Sequence, residues 1–144
     1  MLMKEITFEI KLFGEPILRK KTKLVVQVTP QEQDVLSKMA QIMYEKEGIG
    51  LAANQIGIDK SMIVVDTGEG LYKLINPKII KKEGRQILEE GCLSLPGVCI
   101  KVKRAAKVRV EAINENGEPF DLESEGLMAC CLQHEIDYLK GRLI

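Results

Sequence analysis

The chain has 144 residues, 45% hydrophobic and 29% charged, the balance of a soluble globular protein with room for one real core. Lys plus Arg and Asp plus Glu stand at 21 each, so the net charge is zero and no broad nucleic-acid footprint is expected. No apolar run approaches the roughly 18 residues of a membrane span, and Cys92, Cys99, Cys130 and Cys131 come without a signal-peptide pattern, which points to a cytoplasmic protein rather than a disulfide scaffold.

Thr7 to Leu12 alternates loosely, as a short strand would, until Gly14-Glu15-Pro16 breaks it. Pro16 to Arg19 reads as a turn and Leu24-Val25-Val26 as extended chain. Thr29-Pro30-Gln31-Glu32 predicts a helix start, with Thr29 as cap, Pro30 in the first turn and Glu32 completing a capping box. Leu36, Met39, Ala40 and Met43 then share one helical face, and Gly48 is placed to end the helix.

Gly48-Ile49-Gly50-Leu51-Ala52-Ala53-Asn54-Gln55 follows, a run of small residues whose backbone can approach something closely. It matches neither a dinucleotide fingerprint nor a Walker loop, and a close-packed loop is the plain reading, with Gln55 as the polar group it presents. Met62 to Asp66 and Leu71 to Ile75 read as a hairpin around Thr67-Gly68-Glu69-Gly70. Asn76-Pro77 is expected to break the strand, Lys78 to Lys82 to form another extended piece, and Glu83-Gly84 to turn the chain.

In Ile87 to Gly97, Cys92 is expected at a strand end before a Pro96-Gly97 turn. Lys107 to Ile113 alternates as a half-buried strand, and Asn116-Gly117 returns it through Phe120 and Leu122. From Ser124 the pattern becomes helical until Gly141. Leu127, Cys131, His134 and Tyr138 form one stripe of that helix, and Met128, Leu132, Glu135 and Leu139 the next.

An inward-facing glutamate needs a partner or a wet cleft. His134-Glu135 nearly forms H-E-x-x-H, in which two histidines one turn apart hold a metal, but Tyr138 stands in the second place. A core imidazole and an inert core cysteine are the plain alternatives to ligation. Thiolate plus imidazole, from Cys92 and His134, suits Zn²⁺ or Fe²⁺, and a glutamate beside them would move protons in a hydrolase.

Taken in order, Gly48 to Gln55, Glu90-Gly91-Cys92-Leu93-Ser94 and Gln133-His134-Glu135-Ile136-Asp137 resemble the peptide deformylases, with support from Pro16-Ile17-Leu18-Arg19, Ile75-Asn76-Pro77 and Leu139-Lys140-Gly141. The resemblance covers nearly the whole chain. It implies a single α+β domain over residues 1–144, with antiparallel strands wrapped around a central helix that carries His134 and Glu135. It implies hydrolysis of the formyl group from N-formylmethionine on new polypeptides, with Fe²⁺ as the native divalent metal and Zn²⁺, Ni²⁺ or Co²⁺ as substitutes.

Carried over by position, Cys92 and His134 are metal ligands and Glu135 is the general acid/base. Gln55 and the backbone N–H of Leu93 stabilise the oxyanion. Gly50 lies close to the substrate, in a groove to which Gly48, Leu51 and Gly91 also belong, and the methionine pocket draws on Leu127, Cys130 or Cys131. The implied partners are formyl-Met nascent peptides and the ribosome exit region, with no nucleic-acid site and no membrane.

Tyr138 departs from the pattern where a third histidine ligand is expected. A phenol must lose a proton near pH 10 to ligate well, and it is longer than imidazole. Four consequences are open: a weak or absent metal site, ligation by the phenolate, rescue by Asp137 or Cys131, or a metal held by Cys92 and His134 with waters. The alternative function is a deformylase-fold module that binds formyl-Met peptides without turnover.

Overall fold

The computed structural model describes residues 10–12, 14–92 and 94–142, with the backbone alone for 95–100. A 3₁₀ turn, Pro16–Arg19, leads to helix α1, Pro30–Glu45. Strand β1, Gly50–Ala52, runs into a second 3₁₀ turn, Ala53–Ile56. Then come β2 (Met62–Val65), β3 (Tyr72–Glu83), β4 (Gln86–Cys92), β5 (Leu95–Arg104), β6 (Lys107–Ile113), β7 (Pro119–Glu125) and helix α2 (Gly126–Leu139). Five strands form one antiparallel sheet in the order β1-β2-β3-β6-β7, and β4 pairs with β5 in a separate hairpin. The architecture is α+β. Among the described residues no helix is long and apolar enough to cross a membrane.

The sheet is buried on both faces where it meets the helices, which is why β2 is an unbroken apolar run. Ile63 and Val65 pack with Met128, Leu132 and Ile136 of α2, while Met62 and Val64 pack with Leu36, Met39 and Met43 of α1. The same alternation on β1 turns Ala52 toward α2 and Leu51 toward α1. Helix α2 is buried along nearly its whole length. Gly141 closes it at φ +77, where a Cβ would stand 2.6 Å from the Arg19 carbonyl oxygen. Thr22 donates its N–H and its hydroxyl to the Leu139 carbonyl at 2.8 and 3.0 Å, so the N-terminal strap fixes the end of α2.

Several local expectations change. Residues 7–9 of the first expected strand lie outside the described residues, and 10–12 are irregular. Thr29 precedes α1, but its hydroxyl donates to the Glu32 carboxylate at 2.5 Å instead of capping a backbone N–H. The helix ends at Glu45, and the left-handed position beyond it is Glu47 at φ 57, not Gly48. Gly50 to Ala52 is a strand rather than a loop, because it finds β2 as a partner.

Asn76-Pro77 bulges β3 instead of ending it. Asn76 sits at φ 52, and its side chain exchanges hydrogen bonds of 2.9 and 2.8 Å with the Val25 backbone. The turn after Cys92 includes Ser94, ahead of Pro96-Gly97, which belong to β5. Ser124 does not start the last helix: it lies within β7, which runs to Glu125, and α2 starts at Gly126.

Candidate active site

Helix α2 crosses beneath β1, and the crossing is possible because residue 50 has no side chain. A Cβ on Gly50 would lie 2.8 Å from Cys131 Sγ and 2.9 Å from both Cγ and Oε2 of Glu135. Beside this crossing opens a cleft of ≈ 740 Å³. Gly48, Gly50, Gln55, Gly91, Cys92, His134 and Glu135 all border it, as do Leu127, Cys130 and Cys131. Leu51 is not on the cleft wall, since strand alternation sends its side chain into the α1 core. Leu93 lies outside the described residues.

A buried ionic network holds His134 in place. Glu90 accepts two bonds from Arg104, both 2.9 Å, and its Oε1 lies 2.8 Å from His134 Nδ1. Arg104 also reaches Asp137 at 2.7 Å, and Cys130 donates to Glu90 at 2.6 Å. Gln133 ties α2 to the end of β5 through both backbone groups of Ala105, at 3.0 and 2.9 Å. Burial alone would raise the Glu90 carboxyl, but the bonds from His134, Arg104 and Cys130 outweigh it and hold it at about 2. Burial and Glu90 push the Cys130 thiol up to about 12, so it is a donor rather than a nucleophile.

Sequence reading did not place Arg104 in the site, and it took Asp137 only as a possible substitute ligand. The available signal was a carboxylate two residues before Cys92, on a strand facing inward, which demands a cation.

Because the Glu90 carboxyl is lowered from 4.5 to about 2, its contribution to stability is complete above pH 4.5 and is lost as the pH falls toward 2. Glu90→Gln leaves Arg104 buried with half its compensation, and is expected to cost about 3 kcal/mol at pH 7. Urea unfolding of both proteins at pH 7 and pH 3 checks both: the variant is the weaker at pH 7, and the wild type's margin over it narrows in acid as Glu90 takes up its proton.

The polar floor of the cleft is a chain of side chains. Gln55 is fixed from behind, its Oε1 accepting from the Ala52 N–H at 2.9 Å. Its Nε2 donates to Ser94 Oγ at 3.1 Å and lies 3.5 Å from Cys92 Sγ. Glu135 is 2% exposed, with Oε1 3.9 Å from His134 Nε2. Burial pushes its carboxyl up to about 7, against the pull of His134, which places it in the range of a proton shuttle at neutral pH. Burial pulls His134 down, but hydrogen bonds with Cys92 and Glu90 carry it up to about 10.

Tyr138 is fully buried under this floor, its ring 5.2 Å from that of His134 and its hydroxyl 2.6 Å from Cys92 Sγ. Burial and the Cys92 contact both raise the phenol above its ordinary range.

These distances test the metal that the resemblance implies. Two donors sharing a tetrahedral ion, at about 2.3 Å for sulfur and about 2.0 Å for oxygen, stand about 3.5 Å apart. At 2.6 Å, Cys92 and Tyr138 are hydrogen-bonded to each other and leave no space for an ion between them. Among the described residues no three of His, Cys, Asp and Glu are grouped as ligands. The donor set at Cys92, His134 and Tyr138, as arranged, does not fit a three-ligand metal site.

Comparison with known proteins bears on the whole chain. Residues 7–144 match the sequence profile of the family described as polypeptide deformylase. A peptide deformylase of Halothermothrix orenii is 49% identical over 137 residues, covering 94% of this chain and 89% of that protein. One from Desulfitobacterium hafniense is 48% identical over 136 residues, covering 94% and 91%. The crystal structure of the Thermotoga maritima peptide deformylase superposes with a TM-score of 0.93 at 36% identity, over 96% of this chain and 95% of that one. The Synechococcus elongatus peptide deformylase in complex with actinonin gives 0.93 at 40% identity, over 98% and 78%. Sequence over nearly the full length, the antiparallel sheet wrapped on α2, and a cleft bordered by all three motifs agree: this chain belongs to the polypeptide deformylase family.

Proposed function

We propose that the chain binds the N-formylmethionyl end of new polypeptides in the cleft over α2, and that its side chains are arranged to hydrolyse the formyl amide, in the cytoplasm where new chains emerge. The family acts on formyl-Met nascent peptides and is in general metal-dependent. The observation that carries the reading is the convergence of Gln55, Cys92 and Glu135 at the floor of one largely apolar cleft. Gln55 Nε2 has one strong bond, to Ser94, and one long one, to Cys92. A formyl oxygen exchanges the long bond for a better one, with the amide already oriented by Ala52. Glu135, held near neutrality, takes a proton from the attacking water and delivers it to the departing amine. Leu127, half exposed on the cleft rim, and Leu88 give the methionine side chain an apolar wall.

A formylmethionyl tripeptide tests this by direct binding and by formate release on the same preparation. Binding that requires the formyl group supports the reading, and equal affinity for the unformylated tripeptide removes it. Gly50→Ala is expected to abolish binding, because its methyl group meets Glu135 and Cys131 below 3.0 Å and pushes β1 off α2. The fold should survive, which the thermal melt will report.

A second reading, binding without turnover, is favoured by the 2.6 Å contact between Cys92 and Tyr138.

A further inference from the structure

We infer that the Tyr138 hydroxyl takes the place of the third metal ligand in this chain and, through its bond to Cys92, closes the site to a catalytic divalent ion, so that the formylated end is held by a metal-free hydrogen-bonding floor. The inference rests on the reading of the cleft as a formyl-peptide site. Its basis is the ring of side chains beneath the cleft. Gln55 donates to Ser94, Ser94 bonds the Tyr138 hydroxyl, the hydroxyl bonds Cys92 Sγ, and Gln55 Nε2 closes the ring at 3.5 Å from that sulfur. Each side chain of the ring has polar partners within the protein, Gln55 Oε1 being held by the Ala52 N–H, as a buried polar cluster must be without an ion.

The phenol cannot swing aside to admit one. Tyr138 is 0% exposed, packs in the core between α2 and the sheet, and has its backbone carbonyl held by Asn54 Nδ2 at 2.7 Å. An ion would have to break the bond to Cys92 and part sulfur and oxygen by about 1 Å against that packing.

The neighbouring donors are committed elsewhere. Asp137 bonds Arg104 at 2.7 Å on the far side of His134, and Cys131 Sγ points to the Ile49 carbonyl at 3.4 Å. Neither reaches the gap that a third ligand would fill. The two-ligand remainder, Cys92 and His134, lacks the geometry that fixes an ion.

Co²⁺ is the probe, because thiolate-to-cobalt charge transfer reports ligation by Cys92 independently of turnover. Anaerobic wild type, Tyr138→His and Tyr138→Phe are titrated with Co²⁺ and followed by absorption and equilibrium dialysis, and the same samples are titrated with the formylmethionyl tripeptide. Wild type and Tyr138→Phe, which adds no ligand, are expected to bind Co²⁺ at least about 100-fold more weakly than Tyr138→His, since loss of even an outer partner of a ligand costs 10–100-fold. All three are expected to bind the tripeptide.

Wild type taking one Co²⁺ per chain with a strong charge-transfer band overturns the inference, and that measurement stands even if the histidine variant does not fold. A folded Tyr138→His that binds no better than wild type also overturns it, because the obstruction is then not the phenol. Tripeptide binding to none of the three defeats the substrate reading and leaves the cobalt comparison untouched.

Discussion

Tyr138→His is expected to release formate from a formylmethionyl peptide at least about 100-fold faster than wild type when both are reconstituted anaerobically with Fe²⁺, the scale set by losing an interaction that supports a metal ligand. The substitution removes the hydroxyl that bonds Cys92 at 2.6 Å and puts a shorter ring at the same α2 position, one turn after His134. Cys92 Sγ is freed, and the nitrogen of the new ring lies further from it than the phenol oxygen did. The change also completes the set of one thiolate and two imidazoles that the resemblance implies. The core has to accept a smaller side chain where Tyr138 is fully buried, and a loss of roughly 1–3 kcal/mol of stability accompanies the gain. Initial rates in a coupled formate assay, with metal content measured on the same samples, check this. Equal rates for the two proteins at equal metal content would show that Tyr138 is not what limits turnover.

Glu135→Gln in the Tyr138→His protein is expected to cut formate release by about 10²- to 10⁴-fold, the range for loss of a positioned acid or base. Binding of the peptide should hold within a few-fold, because the amide keeps the shape and the cleft wall. The same substitution has an opposite effect on stability. The folded Glu135 carboxyl is raised from 4.5 to about 7. Between those values the unfolded chain gives up the proton while the folded chain keeps it, so wild-type stability falls as the pH rises from 4.5 to 7 and stays lowered above. Gln carries no such dependence, and Glu135→Gln is expected to gain more than about 1 kcal/mol over its parent at pH 8 relative to pH 5. Urea unfolding at the two pH values reads the difference. Loss of turnover without that stability gain would mean that Glu135 is not the buried, proton-holding carboxylate of the cleft.

The parts of the fold that were legible in the sequence are those set by local pattern. Helix α2 follows from Leu127, Cys131, His134 and Tyr138 at helical spacing, and the β6–β7 hairpin from Asn116-Gly117 between alternating runs. The candidate site was legible through three short motifs, and the cleft brings Gly50, Gln55, Cys92, His134 and Glu135 together.

What stayed hidden depends on partners far apart in the chain. Arg104 enters the site only because β5 pairs with β4 and its end meets α2, so its bonds to Glu90 and Asp137 span 14 and 33 residues. The orientation of Leu51 depends on which face of β1 meets α1, which a three-residue strand does not announce. Asn76-Pro77 carries the signature of a break, but the Asn76 side chain closes onto Val25 and keeps β3 whole. The sequence shows a tyrosine where the resemblance implies a histidine. Only folding brings its hydroxyl against Cys92, too close for the two to share an ion.

The most direct measurement is isothermal titration of the unmodified wild-type chain with a formylmethionyl tripeptide and, in parallel, with the same tripeptide lacking the formyl group. A hydrogen bond from Gln55 to the formyl oxygen in a buried site is worth about 1–3 kcal/mol, so the formylated peptide should bind roughly 5- to 150-fold more tightly. Gln55→Ala should erase the preference. Equal affinity for the two peptides, or a preference that survives Gln55→Ala, would contradict the assignment of this cleft to the formylated ends of new polypeptides.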